Sequence, residues 1–189
     1  MNKGVKIAII IVVTLVVLLG TLTAVLCGGG GYLAVQKLAD NNKKLTSYIG
    51  HKLPKGHVVL MFFEHETTGP GEIQAQAMLT DPKKNSVIIQ FAEPVTGKDE
   101  QQAAYAKDSP FVQGLISDGH GALSEPEQMT INELNYTVYN YTEPGIAPTN
   151  GMLFLTSTDR HFIGIFYDAS EPETLRQDAI EFVTTLNPQ

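Results

Sequence analysis

The chain has 189 residues, 43% of them apolar, with one cysteine, no tryptophan and a net charge of −7. A single cysteine excludes an intramolecular disulfide, so any domain here is held by its core. The charge is divided unevenly: residues 1–55 carry seven lysines against Asp40 (+6), whereas residues 56–189 carry six basic against nineteen acidic side chains (−13). So acidic a segment repels phosphate backbones, which argues against nucleic acid as a partner.

Ile7–Cys27 contains no charged residue and is mostly Ile, Val, Leu and Ala. As a helix rising 1.5 Å per residue it would span roughly 30 Å, the hydrocarbon thickness of a bilayer. Two processing signals compete with an uncleaved transmembrane anchor. A secretory signal has a shorter apolar centre and a small-x-small cleavage site, which is lacking here. A lipidated Cys27 would need a smaller residue than Leu26 on its approach. The favoured reading is an uncleaved signal anchor in the lipid bilayer. Lys3 and Lys6 abut the apolar run, whereas Lys37 follows about ten residues after it. That asymmetry predicts a cytoplasmic N-terminus and a C-terminal domain outside the cytoplasm.

Gly28–Gly31 follows, without the strand or the spacing of a phosphate-binding loop. Glycine's backbone freedom makes it a hinge, with a close helix contact at the membrane edge as the alternative. Tyr32–Ile49 reads as a helical stem through Leu33, Leu38, Leu45, Tyr48 and Ile49, stopped by Gly50. Lys37, Lys43 and Lys44 lie on it, and Lys52 and Lys55 follow. They read either as a solvated face or as contacts to anionic lipid headgroups, about 1 kcal/mol each.

The remainder alternates strand and helix signals. "HVVLMFFEHE" (57–66) is a continuous apolar run suited to a buried strand, "EIQAQAML" (72–79) alternates, and "SVIIQFA" (86–92) follows a turn at Asp81–Asn85. Residues 97–117 predict helix, broken at Ser109 by Pro110. Residues 127–143 predict one strand with a bend near Glu133–Asn135, and residues 151–168 a hairpin around Thr158-Asp159-Arg160. Ser170 and Glu173 have capping-box spacing ahead of an apolar stripe at Leu175, Ala179, Phe182, Val183 and Leu186. The hairpin is apolar on both faces, so both must be covered. The fold class is α+β: an antiparallel sheet flanked by helices, an α/β/α sandwich preceded by one N-terminal transmembrane helix.

Three regions result: a tail and signal anchor (1–27), a glycine hinge and basic stem (28–55), and an acidic α+β domain (56–189). Over residues 56–187 the meander, helix, second meander and closing helix ending in "FVTTLNP" resemble the PsbP/Mog1-like family. That resemblance implies an adaptor, accessory subunit or binding domain rather than an enzyme. It supplies no motif from which a functional residue could be carried over.

Chemistry-bearing residues are sparse. In a strand His65 points away from Glu64 and Glu66, so "FEHE" makes no local metal site, and the second histidine of HExxH is lacking. His51 and His57 flank a turn and could approach each other, and His161 reads as an exposed residue beside a turn. Asp118, Gly119, His120 and Gly121, with Ser124 nearby, have residue types suited to hydrolysis, but there is no nucleophile elbow. No cofactor is implied. The expectation is a membrane-anchored, non-catalytic adaptor or accessory subunit acting through a protein partner. The alternatives are a small-ligand-binding domain, or a hydrolase using the Asp118–His120 loop.

Overall fold

The central strands carry apolar side chains on both faces, and the rest of the fold is arranged to cover them. The computed structural model describes residues 30–66, 72–94, 97–116, 121–144, 149–169 and 173–188. Ile7–Cys27, Gly28 and Gly29 lie outside the described residues. Among those described, no helix is long and apolar enough to cross a membrane. Backbone contacts separate residues 1–40 from 41–189 as two compact units. Helix α1 (Gly30–Ile49) runs through that boundary and starts at Gly30, so Gly30 and Gly31 are helical. It ends at Gly50, whose left-handed φ of 85° only glycine adopts readily.

In the second unit the strands are β1 (Val58–Glu64), β2 (Ile73–Thr80), β3 (Ser86–Ala92), β4 (Ala122–Leu123), β5 (Glu127–Ile131), β6 (Leu134–Glu143), β7 (Thr149–Ser157) and β8 (Phe162–Asp168). They form one antiparallel sheet in the order β1-β2-β3-β8-β7-β6, and β4 and β5 share the outer edge of β6. Helices α2 (Lys98–Tyr105), α3 (Pro110–Leu115) and α4 (Leu175–Leu186) complete the fold.

Period-two alternation sorts the core into two clusters. On one face Ala75, Ala77, Leu79, Ile89, Ile165 and Phe154 are buried with Leu45 and Ile49 of α1 and Ala179, Phe182, Val183 and Leu186 of α4. On the other, Leu153, Leu155, Phe162 and Phe166 meet Phe111, Val112 and Leu115 of α3. Gly164 permits this second contact, since a Cβ there would lie 2.3 Å from Leu115 Cδ1. The break before α3 is a cap: Ser109 Oγ accepts the Val112 N–H at 3.2 Å, and Pro110 opens the helix. The β2–β3 turn is closed by a buried network in which Asp81 accepts from the Asn85 amides and the Tyr167 hydroxyl. Lys83 ties that turn to α4 through Asp178 at 2.6 Å.

Several expectations are corrected. The bend expected in residues 127–143 is a full reversal between β5 and β6. Asn132 and Glu133 both take positive φ, 50° and 68°, as a two-residue primed turn requires. The helix expected from Ser170 begins at Leu175, with Thr174 at its N-cap; the Thr174 hydroxyl donates to Asp178 at 2.9 Å instead of capping. Ser170 itself lies outside the described residues. β1 is an edge strand rather than a buried one. A bulge at Leu60 leaves Val59 and Phe62 inward, with Leu60, Met61 and Phe63 40–46% exposed.

Gly164→Ala should cost about 1–3 kcal/mol through overpacking against Phe111 and Leu115. Urea unfolding of the full chain by circular dichroism measures this, and an unchanged midpoint would refute the tight contact.

Candidate functional site

The five lysines singled out from the sequence lie in three different settings. Lys37 belongs to the first unit and is exposed. Lys44 donates to Glu64 Oε2 at 2.7 Å and lies 5.9 Å from the centre of the Phe62 ring. Lys43, Lys52 and Lys55 converge on one cavity of about 440 Å³.

His57 joins them, as do Asn42, Thr46, Leu53, Pro54 and Gly56. The local sequence dictates this shape. Pro54–His57 is a turn in which the His57 N–H faces the Pro54 carbonyl at 3.5 Å, with Gly56 at the position demanding positive φ (95°). A Cβ on Gly56 would meet the Pro82 ring at 2.9 Å, so the turn is seated on the β2–β3 turn. At the other end of the segment His51 Nε2 donates to the carbonyls of Leu186 and Asn187, at the C-terminus of α4. His51 and His57 therefore take separate partners instead of approaching each other. His57 Nδ1 donates to Pro54 O at 3.2 Å, and its ring lies 5.6 Å from Phe182.

A second cavity, of about 380 Å³, is lined by Ser47, Tyr48, His65, Gln74, Arg160 and His161. No local signal marks it, because its residues come from α1, the ends of β1 and β2 and the β7–β8 turn. His161 is not the exposed turn residue expected: its ring stacks on Tyr48 at 5.2 Å and meets Phe91 edge-on at 5.7 Å. Its Nδ1 is buried without a hydrogen-bond partner. Burial, then the neighbouring Arg160 charge, lowers its pKa. Burial, then Glu64, raises that of Tyr48. The pair is neutral at pH 7, which suits a packed aromatic contact better than proton transfer.

Asp118, Gly119 and His120 lie outside the described residues. Gly121 is described, and a Cβ there would collide with the Tyr141 ring at 2.4 Å, so packing alone explains this glycine. Among the described residues no cluster of His, Cys, Asp and Glu could hold a metal ion.

The remaining feature is a surface. Met61 pairs with Met78, Met78 with Ile88 and Ile88 with Phe166, placing one apolar row across the sheet on the α2–α3 side. Phe166 is buried in the cluster beneath α3, Ile88 and Met78 are half-buried, and Met61 is 40% exposed. Phe63 extends the patch at 46% exposure, and Val58 is on the same face. On this face α3 reaches Ile73 at the start of β2, and Met61 and Phe63 of β1 lie beyond the described helices.

No protein-family model and no curated protein matches the chain. Among solved structures it is similar to the solution structure of cyanobacterial PsbP (CyanoP) from Synechocystis sp. PCC 6803. The two are 13% identical with a TM-score of 0.42, over 71% of this chain and 81% of that one. The likeness is one of fold and extends no further.

The folded state prefers neutral His161, so its contribution to stability is complete above the unfolded value of 6.5 and is lost as pH falls through the lowered folded value. His161→Phe keeps the stack and removes the titration. Urea midpoints between pH 7.5 and 5, at roughly half-unit steps, should fall less steeply in the variant. Equal slopes would show that His161 titrates as if exposed.

Proposed function

We propose that this chain is a membrane-anchored, non-catalytic accessory subunit whose C-terminal domain stands outside the cytoplasm and docks a protein partner through the β1–β2 face. The observation that carries this reading is the apolar row Met61–Met78–Ile88 with Phe63, exposed where the helical layer ends. Exposed apolar side chains grouped in this way, rather than scattered, mark interaction surfaces.

The occupant that fits is an amphipathic helix of the partner. The free edge of the sheet is blunted, since the bulge at Leu60 interrupts the ladder and Asn41 Nδ2 donates to the Leu60 carbonyl at 3.1 Å. Strand addition is thereby disfavoured. The row Met61–Met78–Ile88 runs over two strand spacings, roughly 10 Å, about one helix diameter. A helix laid there would complete the layer that α2 and α3 begin. The −13 charge of residues 56–189 suits basic residues flanking its apolar stripe. Ligand binding as the main role is supported less well, because the cavity at Tyr48 and His161 is lined mainly by polar and charged side chains, whereas a typical small-molecule pocket is mostly apolar.

A photo-cross-linker in place of Phe63 tests the docking surface in native membranes. The expected result is a stoichiometric adduct to an amphipathic helix of another protein. Met61→Glu should cut its yield roughly tenfold by placing a charge in the contact. An adduct to a second copy of this chain, or none, would overturn the reading. Orientation is read separately by adding protease to intact spheroplasts. Digestion of the domain before permeabilisation is expected, and protection would place it in the cytoplasm.

A further inference from the structure

The cavity between α1 and the Lys52–His57 segment carries an inference independent of the docking surface. Its charge runs against the rest of the domain. Lys43, Lys52 and Lys55 line it, and no Asp or Glu does. None of the three forms a salt bridge among the described residues, whereas neighbouring Lys44 is paired with Glu64 and Lys83 with Asp178. Like charges gathered around one cavity repel, and an anion between them removes that repulsion.

The walls are built rather than incidental. Gly56 is locked against Pro82, and His51 fastens the start of the segment to the end of α4, so the lysine backbones are fixed at both ends. Such anchoring lowers the ordering cost of binding. His57 donates to Pro54 O through Nδ1–H, and in that tautomer Nε2 is an acceptor suited to a ligand hydroxyl. Asn42 lines the same cavity, and its Oδ1 is buried with no hydrogen-bond partner. At about 440 Å³ the space exceeds what a bare phosphate fills.

We propose that this cavity is a specific site for one phosphate-ester anion bearing hydroxyl groups, held by Lys43, Lys52 and Lys55 with His57 and Asn42. The phosphate meets the lysines, and a ligand hydroxyl donates to His57 Nε2. This differs from diffuse attraction of basic side chains to an anionic surface, because it is saturable and one-to-one. A phosphoglycerol lipid headgroup and a free sugar or glycerol phosphate share this chemistry.

The full-length chain in dodecyl maltoside is titrated with glycerol 1-phosphate and, separately, with dihexanoyl phosphatidylglycerol. Dihexanoyl phosphatidylcholine is the zwitterionic control, and the amide signals of Lys55, Gly56 and His57 are followed. Saturable one-to-one shifts are expected with at least one of the two anions and none with the control. Binding of both assigns the site to phosphate esters generally; binding of the lipid alone assigns it to a headgroup, and of glycerol 1-phosphate alone to a free ester. The combined Lys43→Gln, Lys52→Gln and Lys55→Gln variant should bind at least roughly tenfold more weakly, since charge-assisted contacts dominate such sites. Lys84→Gln, a lysine outside the cavity, should match the parent. Absence of saturable shifts with both anions, or equal weakening by the triple and Lys84 variants, would overturn the proposal. The cross-link at position 63 reads the docking surface separately, so either idea can fail alone.

Discussion

The fold depends on the need to bury β7 and β8 on both faces. Leu153, Leu155, Phe162 and Phe166 face one way, and Met152, Phe154, Ile163 and Ile165 the other, all essentially withdrawn from solvent. No single layer can do that. The end of α1 together with α4 closes one face, and α2 with α3 closes the other. The supply of helix is limited, however. Seven strand positions span six spacings, roughly 29 Å, while a helix with its side chains covers about 10–12 Å. Two helices side by side nearly cover the first face. The short α2 and α3 follow the centre of the second, reach Ile73 at the start of β2, and leave Met61 and Phe63 of β1 open. The exposed row at Met61 and Met78 is thus a consequence of where the helices are spent, not an isolated surface defect.

That distribution was only partly legible in the sequence. The apolar alternation of residues 151–168 demanded cover on both faces, and Pro110 announced the break between helices, because each signal is local. The uncovered edge was hidden for the opposite reason. "HVVLMFFEHE" reads as buried because a run of apolar residues carries no mark of which face will lack a partner. The bulge at Leu60, which turns Val59 and Phe62 inward together, depends on pairing with β2 and has no local signature. Likewise, glutamate at positive φ in the Asn132–Glu133 turn is imposed by the β5–β6 register and not by preference. The candidate site was legible as lysines, not as a cavity. Sequence position could not show that Lys43 and Lys44, adjacent on α1, would diverge, nor that His57 would join one of them.

The divergence follows from helical geometry. Consecutive residues on a helix project about 100° apart, so one of two adjacent lysines can reach β1 while the other faces the Lys52–His57 segment. Lys44 is neutralised by Glu64, and Lys83 by Asp178, whose pKa is lowered mainly by that hydrogen bond. The paired lysines thus join elements of the fold, and those lining the cavity remain without a carboxylate partner among the described residues. Pairs with one or both partners exposed add little to stability, so this division matters more for where positive charge remains than for how firmly the domain holds together.

α1 has a second role, which links the two surfaces. β1 has a strand on one side only, and α1 supplies much of what else holds it. Asn41 binds the Leu60 carbonyl, Lys44 binds Glu64, and Tyr48 packs on Phe62 at 5.5 Å. The same helical segment presents Asn42, Lys43 and Thr46 to the cavity. One stretch, Asn41–Ile49, therefore fixes the backbone of the apolar row and forms a wall of the basic cavity. Anything that shifts this helix end must disturb both.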